Sequence, residues 1–361
     1  MKLKRLVISI FILLTASLLS ACAGGAGLAT SWPGLSADED TAYLAFNNHV
    51  YAITLDTGIE KWRFPAESNN RITLYADPAM SPDQQLIVGG YNNVLYSLNS
   101  ETGQMNWEFG EAGNKYIASP LAVDQGIFAP NADNNLYALE LNGNLRWKFN
   151  TQGEIWAQPI TDPACECIYL TSMDHYVYAV DPTDGSLRWQ SQELGGAIVG
   201  SPALSEEGVL YVGTFGKEII ALDTQDGSVI WRSPTTGWVW SGPTLAEDVL
   251  YVGDLDGNFY AIDPADGQAL WNLTSDQLDG SIAGSPLVVA DTIYFTSESG
   301  SLYAVDPTGS ILWSQAIGGR MLAAPVLAGD LLLVAPNQAD QLLVAVNLEG
   351  GSRRWAFTLG E

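Results

Sequence analysis

Tyr178-Ala-Val-Asp-Pro-Thr-Asp-Gly-Ser-Leu-Arg-Trp189 reads as a β-hairpin with an aromatic anchor. Val177 to Val180 is a short apolar run suited to a strand, and Asp181 to Gly185 supplies the Asp, Pro and Gly that close a turn. The returning strand ends on a large ring. Working outward, the unit recurs eight times: Trp62, Trp107, Trp147, Trp189, Trp231, Trp271, Trp313 and Trp355 lie 40 to 45 residues apart. Four residues before each stands a glycine, at Gly58, Gly103, Gly143, Gly185, Gly227, Gly267, Gly309 and Gly351. Ten or eleven residues before each Trp lies the head of the preceding strand, at Tyr51, Tyr96, Tyr137, Tyr178, Ile220, Tyr260, Tyr303 and Val344.

A proline opens every repeat: Pro33, Pro78, Pro120, Pro159, Pro202, Pro243, Pro286 and Pro325. Lacking an N–H, proline suits the entry to a strand. In the sixth repeat the pattern gives a strand after Pro243, then Val249 to Gly253, Phe259 to Ile262 and Ala269 to Leu273. Those four strands are labelled A to D. A four-stranded meander cannot bury two faces alone, whereas eight of them around an axis can. The expected fold is therefore all-β: an eight-bladed β-propeller of four-stranded antiparallel blades.

The repeat residues have a structural chemistry. Glycine at the turn permits a positive φ, and the Asp, Asn or Thr before it can accept a backbone hydrogen bond. Alanine in strand C leaves room for the Trp, which removes on the order of 150 to 250 Å² from water if fully buried. The eight Trp and eight Gly are expected to cement blades rather than to bind ligand.

The pattern Ala-x-Asp-x-x-x-Gly-x-x-x-Trp, as in Ala179 to Trp189, Ala221 to Trp231 and Ala261 to Trp271, resembles the tryptophan-docking repeat of pyrroloquinoline-quinone (PQQ)-type propellers. The resemblance covers the repeats from end to end. Thr54, Asn99, Glu140 and Asn347 replace the Asp, and Ile220 and Val344 replace the strand Tyr; these changes keep a turn-compatible or apolar residue.

Ahead of the repeats, Lys2, Lys4 and Arg5 precede an apolar run from Leu6 to Leu19, followed by Leu19-Ser20-Ala21-Cys22. The run is short for a membrane span and suits a signal peptide. The segment resembles the lipobox of bacterial lipoproteins, which implies cleavage after residue 21, acylation (palmitate included) of Cys22, and a Gly/Ala-rich tether over residues 22–30. The propeller is then expected over 31–361. Ala23 after the cysteine implies the periplasmic face of the outer membrane where the organism has one, and otherwise the outer face of the cell membrane. Without the three signal cations, the remaining chain holds 12 Lys and Arg against 41 Asp and Glu, a net charge of −29. Such a field repels phosphate backbones and anionic lipids, so no nucleic acid is expected and the membrane is met through the anchor only.

Function is expected where the repeats differ. Strands alternate in direction, so the B–C turns and D–A loops share one face, and Tyr75, Lys115, Glu154, Trp156, Trp238, Trp240 and Arg320 fall there, just ahead of strand-opening prolines. They form the expected ligand or partner face, or a plug for the channel. Asp254-Leu-Asp256-Gly-Asn258 starts like a calcium loop but lacks the distal Glu, and reads as a hairpin turn. Cys165-Glu-Cys167 must lie in an A–B turn to form a disulfide; an oxidised turn or an inert pair is favoured over a metal site. His49 and His175 are expected to be solvated. No catalytic residue, cofactor or metal site is expected. The expected function is that of a monomeric, lipid-anchored envelope scaffold binding other envelope proteins. Lipoproteins of the outer-membrane β-barrel assembly machinery share this kind of propeller. The alternatives are a quinoprotein dehydrogenase, with PQQ and calcium in the funnel, and a glycan or cell-wall binder using Trp156, Trp238 and Trp240.

Overall fold

The computed structural model describes residues 32–359; the signal segment, Cys22 and the tether lie outside the described residues. Among the described residues strands account for the regular structure, with 32 of them in eight four-stranded antiparallel sheets. Among the described residues no helix is long and apolar enough to cross a membrane. The fourth blade runs Ile160–Asp162, Cys167–Thr171, Val177–Val180 and Leu187–Gln190 as its strands A to D, paired in chain order. Every blade repeats this order, giving the eight-bladed propeller the repeat predicts. Each of the eight prolines immediately precedes a strand A, where no ladder N–H is demanded of it.

The repeat alanine and Trp face each other across strands C and D: Ala52 pairs Trp62, Ala179 pairs Trp189, Ala261 pairs Trp271 and Ala345 pairs Trp355. Each indole then lies on the C–D turn of the next blade, over its glycine. A β-carbon at Gly227 (φ +73°) would sit 2.5 Å from Trp189 Cε3, and the other seven docking glycines are similarly covered. Trp189 Nε1 donates to Thr224 O at 2.8 Å, and Trp231 Nε1 to Pro264 O at 2.9 Å. The turns are closed as expected by side-chain acceptors, for example Asp181 from Thr183 N and Asp223 from Gln225 N. All eight rings are half-buried, with one edge at the surface. Each therefore removes roughly 100 Å² from water, worth about 2.5 kcal/mol, below the figure for full burial.

The core is a cycle of eight apolar layers, each between two neighbouring blades. The last layer closes the ring. Leu44, Tyr51 and Ile53 of blade 1 pack on Leu333, Leu343 and Phe357 of blade 8. Trp355 Nε1 donates to Leu55 O at 2.6 Å, with its ring over Gly58. Blade 1 takes its four strands from the start of the described chain and blade 8 from the end, so closure uses side-chain packing and no strand shared between the termini.

Candidate functional site

The D–A loops deliver the residue before each proline to the propeller axis. Trp32, Asp77, Ser119, Gln158, Ser201, Gly242, Ser285 and Ala324 all line one axial cavity of about 360 Å³. Much of the remaining wall is small and apolar, with Ala118, Ala157, Gly200, Ala283, Gly284 and Ala323. The small residues follow from crowding: a β-carbon at Gly200 would fall 2.4 Å from Gly242 N, and one at Gly284 would fall 2.7 Å from Ala323 O. Asp77 is the only charged residue lining the cavity among the described residues. Its side chain is exposed to the lumen, with the channel walls close around it. Desolvation pushes its carboxyl up to about 6, against the single opposing hydrogen bond from Leu35 N at 2.9 Å. Water in the lumen works against that rise.

Three indoles fill the mouth. Trp240 meets Trp32 edge-on at 5.8 Å between ring centroids and Trp156 at 6.2 Å. Phe215, from a B–C turn, lies against Trp240 at 5.5 Å and stacks on Trp238 at 5.3 Å and 14°. Trp238 and Trp240 thus flank the same ring, as alternation in an extended segment requires, while Val239 between them is fully buried. Trp238 is 51% exposed and forms the outward end of the cluster. Trp156 Nε1 donates to Glu154 Oε2 at 2.5 Å, which brings those two expected residues together.

The remaining expected residues are spread around the ring. Tyr75 is buried at 2% exposure, packed against Phe46 and Tyr91 with its hydroxyl donating to Asn47 Oδ1 at 2.7 Å. It belongs to the wall between blades and presents no surface to a partner. Lys115 Nζ stands over the Tyr91 ring at 5.1 Å, and Arg320 is ion-paired with Glu298. Phe215, Trp32 and Asp77 were not singled out from sequence. The position before each proline was the signal for the last two, and Phe215 lies in a turn whose spacing looks like any other.

Asp254 is the centre of a closed hydrogen-bond set. Burial pushes its carboxyl up, but N–H donors of Asn258 and Gly237 and the hydroxyls of Tyr260 and Thr236 outweigh that and hold it below the usual range. Its oxygens are occupied by protein donors, in keeping with a hairpin turn. His49 departs from expectation: it is 8% exposed, its Nδ1 is 2.8 Å from Pro65 O, and burial holds the ring below the ordinary histidine value. His175 is solvated and paired with Glu193 at 2.6 Å.

Cys165 and Cys167 form a disulfide, with Cα atoms 5.3 Å apart. The chain turns at Glu166 (φ +52°), between strand A of blade 4 and the start of its strand B. That is the A–B location the geometry demands, on the face opposite the aromatic mouth. A loop of three residues loses little chain entropy, so the bridge contributes about 1.6 kcal/mol on the loop-closure relation.

The family model for the outer membrane protein assembly factor BamB matches residues 34–170, 173–308 and 278–361. Among solved structures, BamB from Moraxella catarrhalis is similar at a TM-score of 0.70 and 18% identity, covering 84% of this chain and 90% of that one. A europium-containing methanol dehydrogenase is similar at 0.72 and 16% identity, covering 86% and 84%. The computationally designed Ika8 protein is similar at 0.74 and 13% identity, covering 88% and 96%. At these identities the likeness to the three structures is one of fold. No curated protein matches the chain in sequence.

Proposed function

This chain belongs to the family of the outer membrane protein assembly factor BamB, and from that premise we propose that it is a non-enzymatic envelope scaffold that binds other proteins of a β-barrel assembly complex. Cys22 carries the lipid anchor, which holds the propeller at the periplasmic face of the outer membrane. The observation that carries the reading is the family match across all eight blades, on a chain with little beyond the bare repeats. The aromatic rim at Phe215 and Trp238 offers an exposed, rigid anchor of the kind that protein interfaces favour. The acidic field favours a basic partner surface.

The dehydrogenase reading meets a channel of the wrong chemistry. PQQ is a tricarboxylate, and the cavity lining offers one carboxylate and no cation among the described residues. The mouth is occupied by Trp240, which contacts both Trp32 and Trp156. Of the cations nearest the rim, Lys115 lies on Tyr91, Lys217 Nζ donates to Thr236 O, and Arg320 is held by Glu298. The residues present do not fit the cofactor, and no catalytic step is derived through it.

Affinity purification after chemical crosslinking in native membranes tests the scaffold reading. Recovery of barrel-assembly proteins is expected, and recovery of unrelated proteins alone would overturn it. Addition of PQQ with calcium is expected to give neither cofactor absorbance nor dye reduction.

A further inference from the structure

Apart from the axial channel, the described residues hold one place where soft and hard ligand atoms converge, the A–B turn of blade 4. One ligand atom each from Asp162, Cys165 and Cys167 lies within 4.8 Å of the others, and no other group of this kind occurs among the described residues. We propose that this turn is a redox-gated site for a thiophilic metal ion: shut as the disulfide, and in the dithiol form coordinating one zinc-class ion through both sulfurs and the Asp162 carboxylate. The proposal is independent of the scaffold reading.

The backbone holds the ligands whether or not the sulfurs are bonded. Asp162 and Cys167 are direct partners in the A–B ladder, and Cys165 is returned to them by the left-handed turn at Glu166. Because the bridge spans only one intervening residue and contributes little to stability, its opening leaves the ladder in place. Cys167 is 2% and Asp162 6% exposed, so both are shielded from bulk water. Tyr169, fully buried, donates its hydroxyl to Asp162 Oδ2 at 2.9 Å and lies 3.3 Å from Cys165 Sγ. It sets the carboxylate's orientation as an outer partner of a metal ligand does.

Charge and access also fit. Two thiolates and a carboxylate carry three negative charges, which a divalent ion offsets in part. The Arg188 guanidinium adds to this, held in place by Cys165 O and by Asp181 at 2.8 Å. A cavity of about 420 Å³, lined by Asp162, Glu166 and Cys167 among others, opens onto the cluster and admits the ion with a water for the fourth position. Two sulfurs and one oxygen select zinc, cadmium or a similar thiophilic ion over calcium or magnesium.

Opening the site is a two-electron step. A dithiol reductant gives up two electrons and two protons, its own sulfurs pairing as a disulfide while Cys165 and Cys167 become thiols. Metal binding then releases those two protons. Oxidation by a disulfide of higher potential takes the electrons back, re-forms the Cys165–Cys167 bond and expels the ion.

The test uses the full protein, reduced with a phosphine, freed of reductant under nitrogen, and shown by thiol titration to have gained two free thiols over the oxidised protein. Cadmium is then added while the thiolate-to-cadmium charge-transfer absorbance is followed, and zinc is measured by competition. One ion per reduced chain is expected, with none in the oxidised protein. Cys165→Ser and Cys167→Ser should each abolish the band, and Asp162→Asn should keep it but weaken affinity at least tenfold, with unchanged circular dichroism throughout. The proposal is overturned if the reduced protein binds cadmium no better than the double serine variant, if Asp162→Asn binds as tightly as the parent, or if the bridge resists reduction while the protein stays folded.

Discussion

Replacing Gly227 by alanine tests the docking of one blade on the next. The new β-carbon would lie 2.5 Å from Trp189 Cε3 at a backbone φ of +73°. The left-handed backbone alone costs an L-residue about 1–2 kcal/mol. Displacing the half-buried indole adds the loss of roughly 100 Å² of burial, about 2.5 kcal/mol, and of its hydrogen bond to Thr224 O. In the parent protein Gly227→Ala should therefore destabilise by about 4–6 kcal/mol. In a Trp189→Ala background the obstructing ring is gone, and the same substitution should cost only the backbone share. Urea denaturation of the parent, both single variants and the double variant measures the difference, expected as a coupling of about 3–4 kcal/mol. Equal costs in the two backgrounds would refute the docking account, because the glycine would then serve its turn alone.

Other perturbations follow from the same geometry. Trp355→Ala removes the indole that closes the ring between blades 8 and 1, so it should destabilise by about 2–4 kcal/mol. It should also raise hydrogen exchange selectively in those two blades, as measured by mass spectrometry. Trp240→Ala empties the centre of the aromatic mouth and should cost about 2–3 kcal/mol in thermal denaturation, whereas Trp238→Ala loses only the stack on Phe215, about 0.5–1.5 kcal/mol. Asp77 has a carboxyl raised to about 6 in the folded protein, so its ionisation disfavours the folded state. Its unfavourable contribution is absent below the unfolded value near 4, grows through that window and is complete above about 6. Asp77 is exposed to the lumen and water screens its charge, so Asp77→Asn should raise the melting temperature only slightly at pH 7.5 and lose that advantage at pH 4.

The fold was legible because its markers are tied to backbone demands. A glycine with positive φ beneath each indole and a proline at each strand entry are requirements of every blade, so they survive in all eight repeats. How the ring closes was not legible in the repeat count; it rests on side chains of blades 1 and 8 that meet only once the eight blades are arranged in a circle. Side-chain burial was harder to read. Tyr75 stands at a D–A loop position but turns into the blade 1–2 wall, because Asn47 accepts its hydroxyl and Phe46 and Tyr91 receive its ring. His49 looks like a turn residue and begins strand C, where Pro65 O and the Tyr51 ring cover it. The aromatic mouth was half visible. Trp156, Trp238 and Trp240 break the repeat, while Phe215 and Trp32 join them only through the ring's closure, which brings distant turns to one axis.

The scaffold role is most directly tested by a photo-crosslinking residue placed at position 238, the exposed end of the aromatic rim, in cells that retain their envelope. Adducts with components of the barrel-assembly complex are predicted, and they should fade when Phe215→Ala removes the stacking partner that fixes the rim. Adducts with that complex from buried-face controls but none from position 238 or its neighbours on the rim would contradict this use of the propeller's aromatic face.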